Sequence, residues 1–153
     1  LVWLDPETGE ATKRRKSPRK GTFFDAFYEL YKIRPLIAHE NLRVHLLFLD
    51  IEDYRILNGW SRDKKRGSTR CERYPRAYRG VCRLENAADY RALFESLPET
   101  FTTATIAQRF GVNADAAQKA AGVLRAADAI REVGKKGRRK LYVRSDEGAP
   151  PAR

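Results

Sequence analysis

Apolar positions recur three and four apart in four stretches, and a helix is expected at each. Thr22 caps the first, which runs to about Ile33 and carries Phe23, Phe24, Phe27, Leu30, Tyr31 and Ile33. These are too many for one narrow stripe, so the helix is expected to be well buried, its aromatics serving as core rather than as a stacking platform. Pro35 ends it. Asn86 to Leu97 forms the next, turning Ala88, Leu93, Phe94 and Leu97 inward with Tyr90 beside them, and Pro98 closes it. Thr102 and Thr103 precede Ile106, Ala107 and Phe110, and Gly111 stops that helix because the turn after it requires positive φ. Asn113 caps a fourth, from about Ala114 to Ala127, with Ala117, Ala121 and Leu124 on its buried face. The two alanines let a crossing helix come close.

The remaining apolar runs have strand character. Val2-Trp3-Leu4 is followed by Asp5-Pro6-Glu7-Thr8-Gly9, a turn sequence, and Glu10 to Thr12 can return as its partner. Val44 to Leu49, within Leu42 to Leu57, is continuous in apolar character apart from His45, which suits a strand covered on both faces by helices. Tyr54 to Leu57 and Val81 to Leu84 read as two further short strands. Ile130 to Val133 and Lys140 to Val143 flank a glycine-hinged tip, Gly134-Lys135-Lys136-Gly137-Arg138-Arg139.

Charge adds a partner class to this outline. The 153 residues hold 31 Lys+Arg against 20 Asp+Glu, a net charge of +11, and the pI is about 10.0. That balance favours a polyanion. With 42% hydrophobic residues the chain can still build cores. Residues 1–84 carry 19 cationic and 11 acidic side chains, and residues 85–153 carry 12 and 9, so the stronger field lies in the first half. Six cations fall within residues 13–21. A loop opens at Asn58-Gly59-Trp60 and continues through Arg62, Lys64, Lys65, Arg66 and Arg70. Beyond it, Tyr74 and Tyr78 alternate with Arg73, Arg76 and Arg79. Basic residues interleaved with aromatics can grip and stack on nucleic acid, while Trp60 is expected to pack on the sheet.

Several chemistries lack their residues. Cys71 and Cys82 are eleven apart with no His near either, so they are expected to be reduced thiols and not metal ligands. His39 and His45 read as structural or surface residues. No P-loop, no nucleophile paired with a base, no apolar run of 18 residues and no signal peptide is present. The chain begins at Leu1, inside an apolar run and without Met, and an upstream segment is expected to be missing. Residues 145–153 read as a disordered polar tail.

The order from Phe94 to Val143, helix, turn, helix and two-stranded wing, resembles the winged-helix DNA-binding domains of bacterial regulators. The resemblance implies that the second helix of the motif enters the major groove and that the wing lies along the backbone. By position, Ala114, Asp115, Ala116, Gln118 and Lys119 would face the groove. Only Gln118 and Lys119 among them have reach toward bases or phosphates, and Asp115 would repel phosphate. The wing holds five cations within six residues: Lys135, Lys136, Arg138, Arg139 and Lys140. Phosphate contacts give affinity and position without sequence readout.

Residues 1–57, in the order strand, strand, helix, buried strand, resemble the core of restriction-endonuclease-like nucleases. That family implies a Mg²⁺ site built from carboxylates with a lysine two residues past the second. Here no Glu-x-Lys occurs in that stretch, Glu10 and Lys13 are one residue too far apart, and Asp50, Glu52 and Asp53 sit on the later strand. The scaffold is therefore expected without its catalytic set. Gly59 to Ser68, GWSRDKKRGS, is similar to a stretch in an uncharacterised bacterial family that also ends in a winged helix.

The expected architecture is α+β: a small mixed α/β, nuclease-like sheet domain over residues 1–84, then a winged helix-turn-helix over 85–144. The expected function is binding of DNA, with RNA as an alternative, through phosphates and with little sequence readout. The expected contacts are Gln118, Lys119, Lys135, Lys136, Arg138, Arg139, Lys140, Arg62, Lys64, Lys65, Arg66 and Arg70. No catalytic residue, metal or cofactor is expected. Nor is a membrane partner; a homodimer or larger complex and a cytoplasmic, bacterial setting are. An Mg²⁺-dependent nuclease and a winged helix used for protein docking are the two alternatives.

Overall fold

The computed structural model describes residues 1–18, 20–59 and 67–145. Its class is α+β. In chain order the elements are β1 (Val2–Leu4), β2 (Ala11–Arg14), α1 (Phe23–Lys32), a 3₁₀ turn at Arg34–Leu36, β3 (Val44–Ile56), β4 (Thr69–Leu84), α2 (Ala87–Ala92), β5 (Thr100–Phe101), α3 (Thr103–Phe110), α4 (Ala114–Ala126), β6 (Ile130–Lys136) and β7 (Arg139–Arg144). They fall into two compact units. One comprises residues 1–21 and 47–81, the other residues 22–46 and 82–153.

The first unit is a sheet in the order β2-β1-β3-β4. β1 runs antiparallel to β2, with Val2 opposite Arg14, and parallel to β3, with Val2 opposite Tyr54. The turn between β1 and β2 closes as its residues dictate: Asp5 Oδ1 accepts from the amides of Glu7 and Thr8, and the Gly9 amide returns to the Asp5 carbonyl. β4 forms an edge, which is where Pro75, lacking an N–H, is tolerated within a strand.

The second unit contains α1 to α4 and a sheet in the order β5-β7-β6. Four helix starts are capped as their side chains predict. Thr22 and Asp25 form a capping box on α1, and Asn86 with Asp89 does the same on α2. Thr102 accepts from the Thr105 amide, and Asn113 from the Ala116 amide. Gly111, at φ 63°, turns the chain between α3 and α4. The core joins Phe24, Phe27 and Leu30 of α1 to Tyr90, Phe94, Ile106, Ala117, Ala121, Leu124 and Tyr142. Phe23, Phe24, Phe27, Phe94 and Phe110 pack ring against ring, with Phe24 and Phe94 5.7 Å apart and edge-on. α1 lies on α4 at Gly122, where an added Cβ would come within 2.6 Å of Tyr31 Cε2.

Several expectations change. β3 is one strand of 13 residues that takes in Tyr54 to Ile56, so no separate strand exists there. It is not buried on both faces: Leu47 is 62% exposed, and Leu49 and Ile51 are also exposed. α1, the helix expected to cover that sheet, belongs to the compact unit of α4. β4 begins at Thr69, in what read as loop, and continues for 16 residues. Its side chains alternate between basic and aromatic with no apolar period, so pairing with β3 makes the strand. α2 ends at Ala92, five residues early, and Leu93 to Leu97 continue as turns. Along the chain the two compact units interleave, residues 22–46 going with the second.

Candidate nucleic-acid interface

β6 and β7 form a hairpin whose strands extend farther than the sequence suggested. Lys136 pairs with Arg139 and Lys135 with Lys140, so the loop shrinks to Gly137 and Arg138. Gly137, at φ 63°, occupies the position where a two-residue hairpin turn demands a left-handed backbone. A bulge between Glu132 and Gly134 sets this register. Two consecutive cross-strand pairs are therefore cation opposite cation, an arrangement that weakens a hairpin in isolation. All five side chains are exposed. Lys140 Nζ donates to Glu132 Oε2 at 2.8 Å. Among the described residues Lys135, Lys136, Arg138 and Arg139 form no ion pair.

The hydrogen bond from Lys140, and after it the charges of Lys140, Arg125 and Lys135, hold the Glu132 carboxyl below the ordinary range. Arg125, an exposed residue of α4, thus adds to the field at the base of the hairpin.

α4 is less open than the sequence implied. Ala116 is buried against the core and cannot face a groove. Lys119 Nζ bonds Asp115 one turn back and sits 4.9 Å from the Tyr28 ring centroid, so its charge is engaged within the molecule. Ala114, Asp115 and Gln118 remain exposed. Gly122, one turn on from Gln118, lies under Tyr31 of α1. Detaching α1 to open this face would uncover Phe24 and Phe27, so the cover is permanent.

In the other unit, among the described residues, six arginines are paired with acids. Arg70 donates to Asp53 at 3.1 Å, and Arg55 and Arg73 approach the same carboxylate. Glu52 accepts from Arg14 at 2.9 Å, from Arg76 at 2.8 Å and from the Tyr54 hydroxyl at 2.9 Å. Asp50 accepts from Arg79. The hydrogen bond from Arg79 lowers the Asp50 pKa, and those from Arg76 and then Tyr54 lower that of Glu52. Sequence reasoning missed this ladder, although acids on β3 facing arginines on β4 would have signalled it had β4 been recognised as a strand. Among the described residues no three His, Cys, Asp or Glu come together as a metal-holding group. Arg62, Lys64, Lys65 and Arg66, expected in the grip, lie outside the described residues, as does Trp60.

His45 and Glu85 meet at 2.9 Å in the second unit, a surface pair. No helix among the described residues is long and apolar enough to cross a membrane.

Residues 1–85 match the model of a domain of unknown function, DUF8091. The match ends one residue before Asn86, the cap of α2. An uncharacterised protein of Treponema pallidum (strain Nichols) is 27% identical over 156 residues, covering 95% of this chain. The chain spans 59% of that relative's length. No solved structure matches.

Proposed function

We propose that this chain, which belongs to the DUF8091 family, binds nucleic acid, DNA before RNA, through its phosphates, with the β6–β7 hairpin as the grip and no catalytic step. The observation that carries this reading is the pair of like-charged rungs at the hairpin tip, Lys135 opposite Lys140 and Lys136 opposite Arg139, with Arg138 in the turn. Among the described residues only Glu132, bonded to Lys140, offsets this repulsion, whereas a polyanion turns it into attraction. The order α2, β5, α3, α4, β6, β7, with β5 paired to β7, supports reading this segment as a winged helix.

Here the wing leads and the recognition helix follows. α4 offers Gln118 and Arg125, while Lys119 is spent on Asp115 and the tyrosines of α1. A module of this kind holds duplexes with little preference among sequences. A cytoplasmic setting and assembly into a homodimer or larger complex belong to the same proposal.

The test is a titration of a labelled random duplex at several salt concentrations. Changing Lys135, Lys136, Arg138 and Arg139 together to Ala should weaken binding at every sequence tried. It should also flatten the plot of log K against log salt by about 0.9 for each phosphate that the hairpin no longer neutralises. A variant with the parent's affinity and slope would remove the hairpin from the interface.

A further inference from the structure

On one face of the first unit, a chain of contacts links β2, β3 and β4. Asp50, Glu52 and Tyr54 alternate along β3 and so share that face. Arg14 reaches Glu52 from β2; Arg76 reaches Glu52, and Arg79 reaches Asp50, from β4. Tyr74 meets Tyr54 edge-on, with ring centroids 5.5 Å apart. The carboxylates hold these guanidinium groups in place without hiding them: the side chains of Arg14, Arg76 and Arg79 are 64%, 56% and 65% exposed. Asp50 and Glu52 engage only Nη1 of Arg14 and the Nε and Nη2 atoms of Arg76 and Arg79, so N–H donors remain on every fork. Lys16 adds its field at Asp50. Tyr74 on β4 is an exposed large ring, 48%. β4 is the sheet edge, and among the described residues no further strand pairs with it.

We propose that this face is a binding site for single-stranded nucleic acid, with Tyr74 stacking on a base and Arg14, Arg76 and Arg79 holding phosphates. Charge complementarity selects the ligand class. Three arginines face two carboxylates, and the excess is positive. Fixed forks match phosphate oxygens and lose little freedom on binding. An exposed ring beside them suits unpaired bases, whose faces are open, while a duplex keeps its bases stacked on one another. The site shares no residue with the hairpin, so either proposal can fail alone.

The experiment uses the full chain and three labelled probes of equal length: a short oligothymidylate, the same backbone without bases, and a duplex. Oligothymidylate should bind the parent chain about tenfold more tightly than the abasic strand, the difference expected from stacking one base. Tyr74→Leu should remove that preference, and Tyr74→Phe should restore it. Equal affinity for the strands with and without bases would overturn the proposal without recourse to any variant. So would absence of single-strand binding, the result expected if this face meets a protein. Duplex affinity that fell with Tyr74→Leu as steeply as single-strand affinity would overturn it too.

Discussion

Among the described residues, Val2 is the one buried apolar side chain in the unit of the β1–β4 sheet, while those from Phe24 to Tyr142 all belong to the helical unit. Carboxylates that gather arginines are prominent in the sheet unit instead. Asp50, Glu52 and Asp53 each hold arginines within the sheet unit, whereas five phenylalanines meet without a charge in the helical one. One unit is thus organised by burial, which is non-directional and not subject to ionic screening. The other rests on backbone pairing and a ladder of exposed ion pairs, each worth little and each sensitive to pH and ionic strength. Positive charge is used differently as well. Along β3 and β4, Arg55, Arg70, Arg73, Arg76 and Arg79 are fixed by neighbouring acids; at the hairpin tip, among the described residues, Lys135, Lys136, Arg138 and Arg139 are left free.

The sharpest way to break this contrast is to remove burial. Phe27 is fully buried and touches Phe23, Phe24 and Phe94. Phe27→Ala should cost about 3–5 kcal/mol in denaturant unfolding followed by helical circular dichroism. A loss below about 1 kcal/mol would mean that the phenylalanine cluster does not support the helical unit. Next in size is Gly122→Ala, whose Cβ would meet Tyr31 at 2.6 Å. Overpacking there should cost about 1–3 kcal/mol. Combining it with Tyr31→Ala in a double-mutant cycle should recover part of that loss if α1 and α4 press together at this point.

Acid should act on the other unit. In the folded chain the Asp50 and Glu52 pKa values lie below their ordinary 3.8 and 4.5, chiefly through hydrogen bonds from Arg79 and Arg76. Groups so depressed stabilise the fold fully above those ordinary values, and the contribution disappears as pH falls through the depressed ones. Amide exchange in β3 and β4, corrected for intrinsic rates, should therefore accelerate below pH 4.5. The amides of α4 should respond much less. Parallel acceleration in both units would show that the ladder does not stabilise the sheet selectively.

What the sequence revealed tracks how local the cause is. A cap needs one side chain and the next three residues, and Thr22, Asn86, Thr102 and Asn113 all cap helices. The hairpin's cations were equally plain, since five lie within six residues. Their register was not, because the bulge at Glu132/Gly134 decides which cation faces which. β4 was illegible for a related reason: its strand character comes from β3 and from acids some 17 to 29 residues away, such as Asp53 for Arg70 and Asp50 for Arg79. Phe23, Phe24 and Phe27 announced a buried helix without naming its partner. Reading the apolar run at Val44 to Leu49 as a covered strand assumed that α1 would cover it, and α1 packs on α4 instead.

A smaller change separates free from fixed charge at the hairpin itself. Of its five cations, Lys140 alone has a partner among the described residues, Glu132 Oε2 at 2.8 Å. Glu132→Gln keeps the shape and removes the negative charge, so the lysine becomes available and the hairpin's field rises by one charge. Duplex binding should tighten, and the salt slope should steepen by up to about 0.9, the value for one more neutralised phosphate. Folding should be little affected, because the pair is exposed and screened. The double change Glu132→Gln with Lys140→Ala should return the slope to its starting value. If Glu132→Gln left both affinity and slope where they were, Lys140 would lie outside the interface, and the grip would narrow to Lys135, Lys136, Arg138 and Arg139.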